Sequence, residues 1–472
     1  MIISWIDVSF VALFFIGLLL VARYYSKKIK NMEDFVLGGR KLPMVVAVGT
    51  MMATWLCTFS LAELAFTTGI IAFVAMGSLA HYSKIPMAIW VGPKVQFSDT
   101  LTLPEMMRKM FDHKTGILAA ILMVFYCTSL YGVTGLGVIG KGVFNIDPYI
   151  FTGICVVVIV LIALTGGLMS VAVTDFLQMF FMMVSVAIAL LTAWPAGGWT
   201  EITQAFETQG IAQSHLALFG TDASQIQYIF TYFVLAFSAY ADPTFYQRFS
   251  AADSAKSSRR SLLICIPLWL CWACCVAILG ILGRVYYPEM TPGVAYLSVC
   301  LNNLPIILKG IFLCGLIGGF VSTLSSYWLV GGTCISYDIF QSMSKQKFSE
   351  KKNLTLTRLG TLFVALFAYV VANNFTMMAT AWSFVGSIWC SGALAPVLLG
   401  LFYRGRISAN SGFYSLLLGC LTFGICSKIG TATLIGIQPL FISLPVSAIV
   451  FIIAGRFGKE TVFNRSGGII HV

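Results

Sequence analysis

Stretches of about 20 apolar residues follow one another along almost the whole chain, and no other feature constrains its fold as tightly. A helix of that length matches the hydrocarbon core of a bilayer. The pattern predicts about thirteen spans, at roughly 4–23, 44–69, 71–95, 115–140, 148–166, 170–195, 225–245, 259–285, 305–338, 355–374, 378–402, 409–428 and 434–456. The first run has no positive n-region and no small-residue cleavage site, so it reads as a retained helix and not a signal peptide. Composition agrees. Of the 472 residues 58% are hydrophobic and 10% charged, against roughly 25% charged in a soluble domain, and the mean hydropathy is +0.90. Too little polar surface is available to cover a water-soluble core. The chain reads as an all-α polytopic membrane protein, which excludes a soluble enzyme and a disordered hub. Its thirteen Cys are scattered through apolar runs and read as buried free thiols.

The formal net charge of +11 follows from topology. With the N-terminus outside and the C-terminus inside, every Lys and Arg but five falls on an inner segment; the five are Lys84, Lys141, Arg284, Lys309 and Lys428. Basic residues held inside set orientation, and losing one span would put alternate basic loops on the wrong side. Anionic lipid of the bilayer is then the partner that the basic segments imply, and nucleic acid is not. No separate soluble domain is expected. The outer loop 196–224 is polar and has room for a short helix, the inner loop 339–357 is charged, and the tail 457–472 is short and cytoplasmic.

Ionisable groups inside spans are costly and usually functional. Four stand out, Glu63, His81, Lys84 and Asp175, with Asp242 near the inner end of its span. His81 and Lys84 are three apart on one helix face. Lys84 reads as a structural partner of Glu63, or with His81 as a holder for a substrate carboxylate. Asp175 reads as a helix N-cap or as the one full negative charge of a cation site. In the ninth span Ser322, Ser325 and Ser326 share a face, with Gly319 one turn earlier. Hydroxyls without a charged partner suit a weakly held monovalent cation; back-bonding of each Ser to its own helix is the structural alternative. The small and hydroxyl residues Ala53 to Ser60 fit close helix packing, or a helix that unwinds midway and offers carbonyls to an ion. Gly135-Leu136-Gly137-Val138-Ile139-Gly140 matches a dinucleotide glycine pattern, but it lies within a span and reads as helix packing. Cys271 and Cys274 have no second ligand pair to make a metal site. No nucleophile, metal or phosphate motif supports catalysis.

Several motifs stand in order along the spans: Phe35-Val36-Leu37-Gly38-Gly39-Arg40, Ala53-Thr54-Trp55-Leu56, Thr102-Leu103-Pro104-Glu105, Gly166-Gly167-Leu168 with Thr174-Asp175 and Gln178, Tyr246-Gln247-Arg248-Phe249 with Arg259-Arg260, Val321 to Ser326 with Tyr337-Asp338-Ile339, and Gly400-Leu401-Phe402. Together, at matching spans, they resemble the sodium:solute symporter family, which includes proline, sialic acid, galactose, pantothenate and choline transporters. The resemblance runs from about residue 1 to 456. It implies a LeuT-type core of two inverted five-helix repeats, 44–195 and 225–402, joined by the outer loop 196–224. An extra helix and inner loop (1–43) precede the core, and two C-terminal helices (403–456) follow it. The first helix of each repeat is expected to break near mid-membrane. In span seven Pro243 removes a donor and disfavours helix at Asp242, which places that break.

Carried over by the resemblance, the family's sodium site falls on the carbonyls of Ala53, Leu56 and Gly319 and the hydroxyls of Ser322 and Thr323. The family usually has Ala at the position of Gly319 and often Ser at that of Thr323. A second sodium site, known in some members, falls on Asp175, Ser322, Ser325 and Ser326. Positions matching the galactose-binding set are Gly77, Ala80, Leu235, Ser238 and Ser383, which lack the amides and acids a hexose needs. Thr58, Phe59, His81, Ser238 and Ser383 are the substrate candidates. The resemblance implies a symporter of the plasma (inner) membrane that imports a small organic solute, an amino acid or a carboxylate, with Na+ and without an organic cofactor. A proton-coupled carrier on the same fold, relaying through Asp175 or Glu63, and a transporter-like solute sensor are the rival readings.

Overall fold

The computed structural model describes residues 3–55, 58–219, 223–372, 374–375 and 377–461, and all of their side chains except those of Thr58 and Phe97. Leu56, the tail beyond Thr461 and part of the 196–224 loop lie outside the described residues. Two isolated bridges, Leu42–Ala252 and Ser408–Glu460, are the extended pairings among the described residues, and every other regular element is helical.

Among the described residues eight helices are long and apolar enough to cross a bilayer, and nine if one bent pair counts as a single span. The difference from thirteen has a local cause in each place. Pro148–Ala193 runs 46 residues without a gap, about 69 Å at 1.5 Å per residue, or twice a bilayer core. It is interrupted at Gly167, whose φ of 59° and ψ of −168° suit glycine alone. A Cβ there would stand 2.6 Å from the carbonyl oxygen of Phe35. The predicted third span is split between α-helical turns and the wider turns of Phe73–Leu79 and Met87–Val91. The seventh is broken, and the last helix, Pro439–Gly455, is 17 residues long.

The elements that build the site are α1 (Trp5–Ser26), α2 (Met44–Thr54), α3 (Thr58–Thr68), α4 (His113–Tyr126), α5 (Leu130–Phe144), α6 (Pro148–Ala193), α7 (Ala223–Ala236), α8 (Pro243–Ala251), α9 (Ala255–Tyr286), α10 (Pro292–Asn303), α11 (Leu308–Thr333), α12 (Glu350–Ala372) and α13 (Met378–Phe402). The pair α2 and α3 is bent by 44° across residues 55–58. Between α7 and α8 the chain tightens into the 3-10 turn Phe237–Ala241, then extends at Asp242 with φ −77° and ψ 123°. Pro243 opens α8, where its missing N–H has no bond to lose, and Asp242 caps the helix by accepting from Thr244 N and Phe245 N.

α11 is the central post. Of its apolar span 83% is buried, against 22% for α1, whose large side chains Leu13, Ile16 and Leu20 are exposed. A helix apolar all round belongs in a core, and apolar exposure along a peripheral helix suits lipid. α10 was not foreseen from hydropathy, because its 12 residues are too few to span. It is nonetheless core, with Tyr296 and Leu297 fully buried. Arg40, Arg108 and Lys347 line one polar cavity of about 550 Å³, together with Glu33, Asp99 and Glu105.

Candidate ion and solute site at two broken helices

α2 ends at the bend, and a helix end presents carbonyls to its surroundings. Side chains from neighbouring helices come to them. Thr323 Oγ1 on α11 donates to Thr54 O at 3.2 Å and to Gly319 O at 2.8 Å, and Trp269 Nε1 on α9 approaches Met52 O at 3.4 Å. The end of α2, which holds Ala53, therefore meets α11 at the level of Gly319, Ser322 and Thr323. Thr323 donates its one proton but keeps lone pairs for a cation.

The three serines of α11 differ in use. Ser325 Oγ donates to its own helix at Ser322 O, 3.1 Å away, which is the structural alternative realised. Ser326 Oγ accepts from Arg248 Nη2 at 2.9 Å. Ser322 Oγ and Asp175 Oδ1 are both buried; neither makes a hydrogen bond of good geometry, and the group each lies nearest to interacting with is the other. Buried polar atoms of native proteins are rarely left so, and two acceptor oxygens in this state fit a cation.

Asp175 is not a helix cap. It sits two turns beyond Gly167 in the interior of α6, fully buried, because the helix begins again at Leu168 and the hydropathy pattern placed that start too late. Its other oxygen, Oδ2, accepts from Thr50 Oγ1 at 2.5 Å and lies 3.6 Å from Arg248 Nη2. Arg248, on α8 just past the second break, also donates to Thr50 Oγ1 at 2.8 Å, Thr54 Oγ1 at 2.7 Å and Thr244 O at 3.2 Å. One buried guanidinium thus joins α2, α6, α8 and α11, using the planar fork that suits Arg to such nodes.

The second break carries a different centre. Asp242 Oδ2 accepts from Tyr126 OH at 2.8 Å and Tyr327 OH at 2.6 Å, and Oδ1 accepts from Thr244 Oγ1 at 2.5 Å. With its two helix N–H bonds, this carboxylate is fully engaged.

Glu63 and Lys84 do not form the expected pair. Glu63 Oε2 accepts from Ala379 N at 3.1 Å, capping the start of α13. Lys84 Nζ donates to Ala80 O at 2.7 Å and lies 3.5 Å from His81 Nδ1. It stands over the ring of Trp55 at 4.9 Å and that of Trp269 at 5.5 Å. The side chain of Glu63 leaves its helix toward α13, whereas that of Lys84 turns toward α9.

Between the two breaks is a small cavity of about 30 Å³, lined by Trp55, Trp272, Trp382, Met76, His81 and Lys84 among others. Of the substrate candidates, His81 lines it and is held by stacking on Trp269, ring centres 5.1 Å apart. Ser238 and Ser383 do not line it but stand close in sequence to Ala236 and Trp382, which do. Phe59 is buried elsewhere, against Tyr296 at 5.6 Å and Phe320 at 5.7 Å. The side chain of Thr58 and all of Leu56 are outside the described residues.

The model of the sodium:solute symporter family matches residues 35–419. The chain belongs to the sodium:solute symporter family. It is accordingly a multi-pass membrane transporter that couples a solute to sodium, and not an enzyme. Its curated relatives include the osmoregulated proline transporter OpuE of Bacillus subtilis, 24% identical over 95% of this chain and 94% of that one. The sodium/proline symporter of Escherichia coli is likewise 24% identical, over 95% and 93%. Among solved structures, a Na+-coupled sialic acid symporter in a substrate-bound outward-open state superposes with a TM-score of 0.81 at 19% identity, covering 97% of this chain and 99% of that one. MhsT in complex with L-phenylalanine superposes with a TM-score of 0.53 at 13% identity, over 88% and 98%. These two likenesses concern the fold.

For this symporter the sequence reading missed Arg248 as a network centre, the hydroxyls of Thr50 and Thr54, the tyrosine pair on Asp242 and the tryptophan cavity. Thr50 and Thr54 did carry a signal, since with Ala53 they put small and polar residues on one stripe of an apolar helix. Among the described residues, no cluster of three or more His, Cys, Asp or Glu is placed to hold a metal. The oxygens on offer are carbonyls, hydroxyls and one carboxylate.

Proposed function

We propose that this protein is a secondary active symporter of the plasma (inner) membrane that imports a small organic solute bearing a carboxylate, driven by Na+, through alternating access. The observation that carries the reading is the break of the second span against Gly319, Ser322 and Thr323 on α11. There, Ala53, Leu56 and Gly319 supply carbonyls and Ser322 and Thr323 hydroxyls to one Na+. The buried, poorly satisfied oxygens Asp175 Oδ1 and Ser322 Oγ, with Ser325 and Ser326, support a second. Thirteen crossings in a 5+5 inverted repeat, N-terminus outside and C-terminus inside, are the topology we infer. The long helix broken at Gly167 supports it, as does the bias of Lys and Arg toward the predicted inner segments.

Sodium enters from outside and ties α2 to α11. The solute then binds beside the broken helices, near His81, Ser238 and Ser383. The occluded carrier rocks inward and releases both. Coupling is reciprocal, so that sodium tightens solute by the factor by which solute tightens sodium. An inside-negative potential adds about 2.3 kcal/mol per charge per 100 mV. Proline, the solute named for the relatives, is the first to test.

The deciding experiment is uptake by proteoliposomes under an inward sodium gradient, beside thermal stability in Na+ against K+. Sodium-dependent uptake and a sodium-specific rise in stability are expected. Uptake driven equally well by a proton gradient without sodium would instead favour the proton-coupled carrier.

A further inference from the structure

The walls of the small cavity have an uneven charge. It lies between Trp55 at the first break and Ala236 just before the second, so solute reaching the two breaks meets these walls. They carry one ammonium, that of Lys84, one imidazole, that of His81, and the indoles of Trp55, Trp272 and Trp382. None of the described residues lining the cavity is acidic, and the neighbouring residues 56–58 are Leu, Cys and Thr. Glu63, the acid of the adjoining helix, is turned to Ala379 N. Lys84 is 1% exposed, and its ammonium is held in place by Ala80 O and by the faces of Trp55 and Trp269. His81, stacked on Trp269, fixes the other side of that ammonium.

We propose that Lys84 is the specificity determinant of the solute site, and that the solute is a small organic monocarboxylate without an ammonium group, its carboxylate on Lys84 Nζ and its apolar body among the tryptophans. The proposal rests on the symporter reading and narrows its solute. A carboxylate brought to a buried ammonium gains a charge-assisted hydrogen bond in a medium of low dielectric. A zwitterion such as proline would bring a second cation into the same enclosure, where like charges repel and no acidic side chain receives it. Indole faces suit an apolar or aromatic body. At about 30 Å³ the cavity holds no more than a water or two as it stands, so entry requires one tryptophan wall to swing outward.

The test uses purified full-length protein, first as melting temperature in Na+ and then as sodium-driven uptake in proteoliposomes. The probes are benzoate and isobutyrate, their amides benzamide and isobutyramide, and L-proline. The carboxylates are expected to raise the melting temperature in Na+ and to be taken up, with the amides and proline at least tenfold weaker. Lys84→Met should lose the carboxylate response while keeping the sodium-specific rise, and Lys84→Arg should retain part of both. If Lys84→Met does not fold, the acid-against-amide comparison on the native protein still decides. Proline binding as tightly as the carboxylates, amides matching their acids, or no response to either carboxylate would each overturn the proposal. The sodium-specific rise without solute separates this failure from failure of the symporter reading, which would abolish that rise as well.

Discussion

The two broken spans solve the same backbone problem in opposite ways. At the second break the protein supplies everything itself. Asp242 takes two tyrosine hydroxyls, a threonine hydroxyl and two helix N–H groups, and Pro243 removes the donor that would otherwise be stranded. At the first break a threonine hydroxyl and an indole from other helices reach the end of α2, while across from it Ser322 Oγ and Asp175 Oδ1 are buried without a hydrogen bond of good geometry. A satisfied break is a rigid joint. An under-satisfied one, where a hydroxyl and a carboxylate oxygen lie together against a helix end, is where a cation completes the coordination.

The largest effect should come from disturbing the satisfied joint. Asp242→Ala strands two buried phenols and removes a helix cap, which should cost about 3–5 kcal/mol whatever cation is present. Unfolding in mild detergent, compared between Na+ and K+, would read it. A loss below about 1 kcal/mol, or one seen in Na+ alone, would break the comparison by making Asp242 part of the ion site.

Ser322→Ala probes the other side. In K+ the variant should lie within about 1 kcal/mol of the native protein, since its hydroxyl makes no hydrogen bond of good geometry and only a weak contact with Asp175. In Na+ at a hundred times its dissociation constant the native protein should gain about 2.7 kcal/mol by mass action, and the variant little of it. Equal sodium gain in both proteins would remove Ser322 from the site.

A smaller effect separates the observed role of Glu63 from the expected one. Glu63→Gln keeps an acceptor for Ala379 N, so the change should cost about 1 kcal/mol. A buried ion pair with Lys84 would instead make it about 3–5 kcal/mol. Melting curves of the single variants Glu63→Gln and Lys84→Met and of the double variant would decide. Strong non-additivity would restore the pair.

These cases also mark where local pattern stops being informative. The face shared by Ser322, Ser325 and Ser326 follows from helix spacing, and the break at Asp242 from the proline after it, so both were legible. The spans were legible wherever a straight helix carries them. The partner of Glu63 was not, because α13 lies more than three hundred residues further along and only the tertiary fold brings its first N–H groups to that carboxylate. Arg248 read as one basic residue on an inner segment, since Thr50, Asp175 and Ser326 come from three other helices. Trp55, Trp272 and Trp382 each look like an ordinary apolar position, and the cavity exists only where several elements distant in sequence converge. α10 escaped because a short buried helix has no hydropathy window of its own.

The smallest expected effect tests whether the first break depends on backbone oxygen alone at Gly319. Alanine, the family's usual residue there, adds a Cβ that would come 2.8 Å from Met182 Sδ and 3.0 Å from its Cε. That is the far end of a flexible side chain, which can turn aside at small cost. Alanine also favours the helix by about 1 kcal/mol over glycine, so the two terms nearly cancel. Gly319→Ala should therefore change stability in K+ by less than about 1 kcal/mol. It should leave the sodium-specific gain intact, because the carbonyl and its bond from Thr323 Oγ1 are untouched. Loss of the sodium gain with stability in K+ unchanged would mean that the ion site needs the space beside Met182 and not only the carbonyl. The contrast between the two breaks would then rest on packing on α6 as much as on unpaired oxygen.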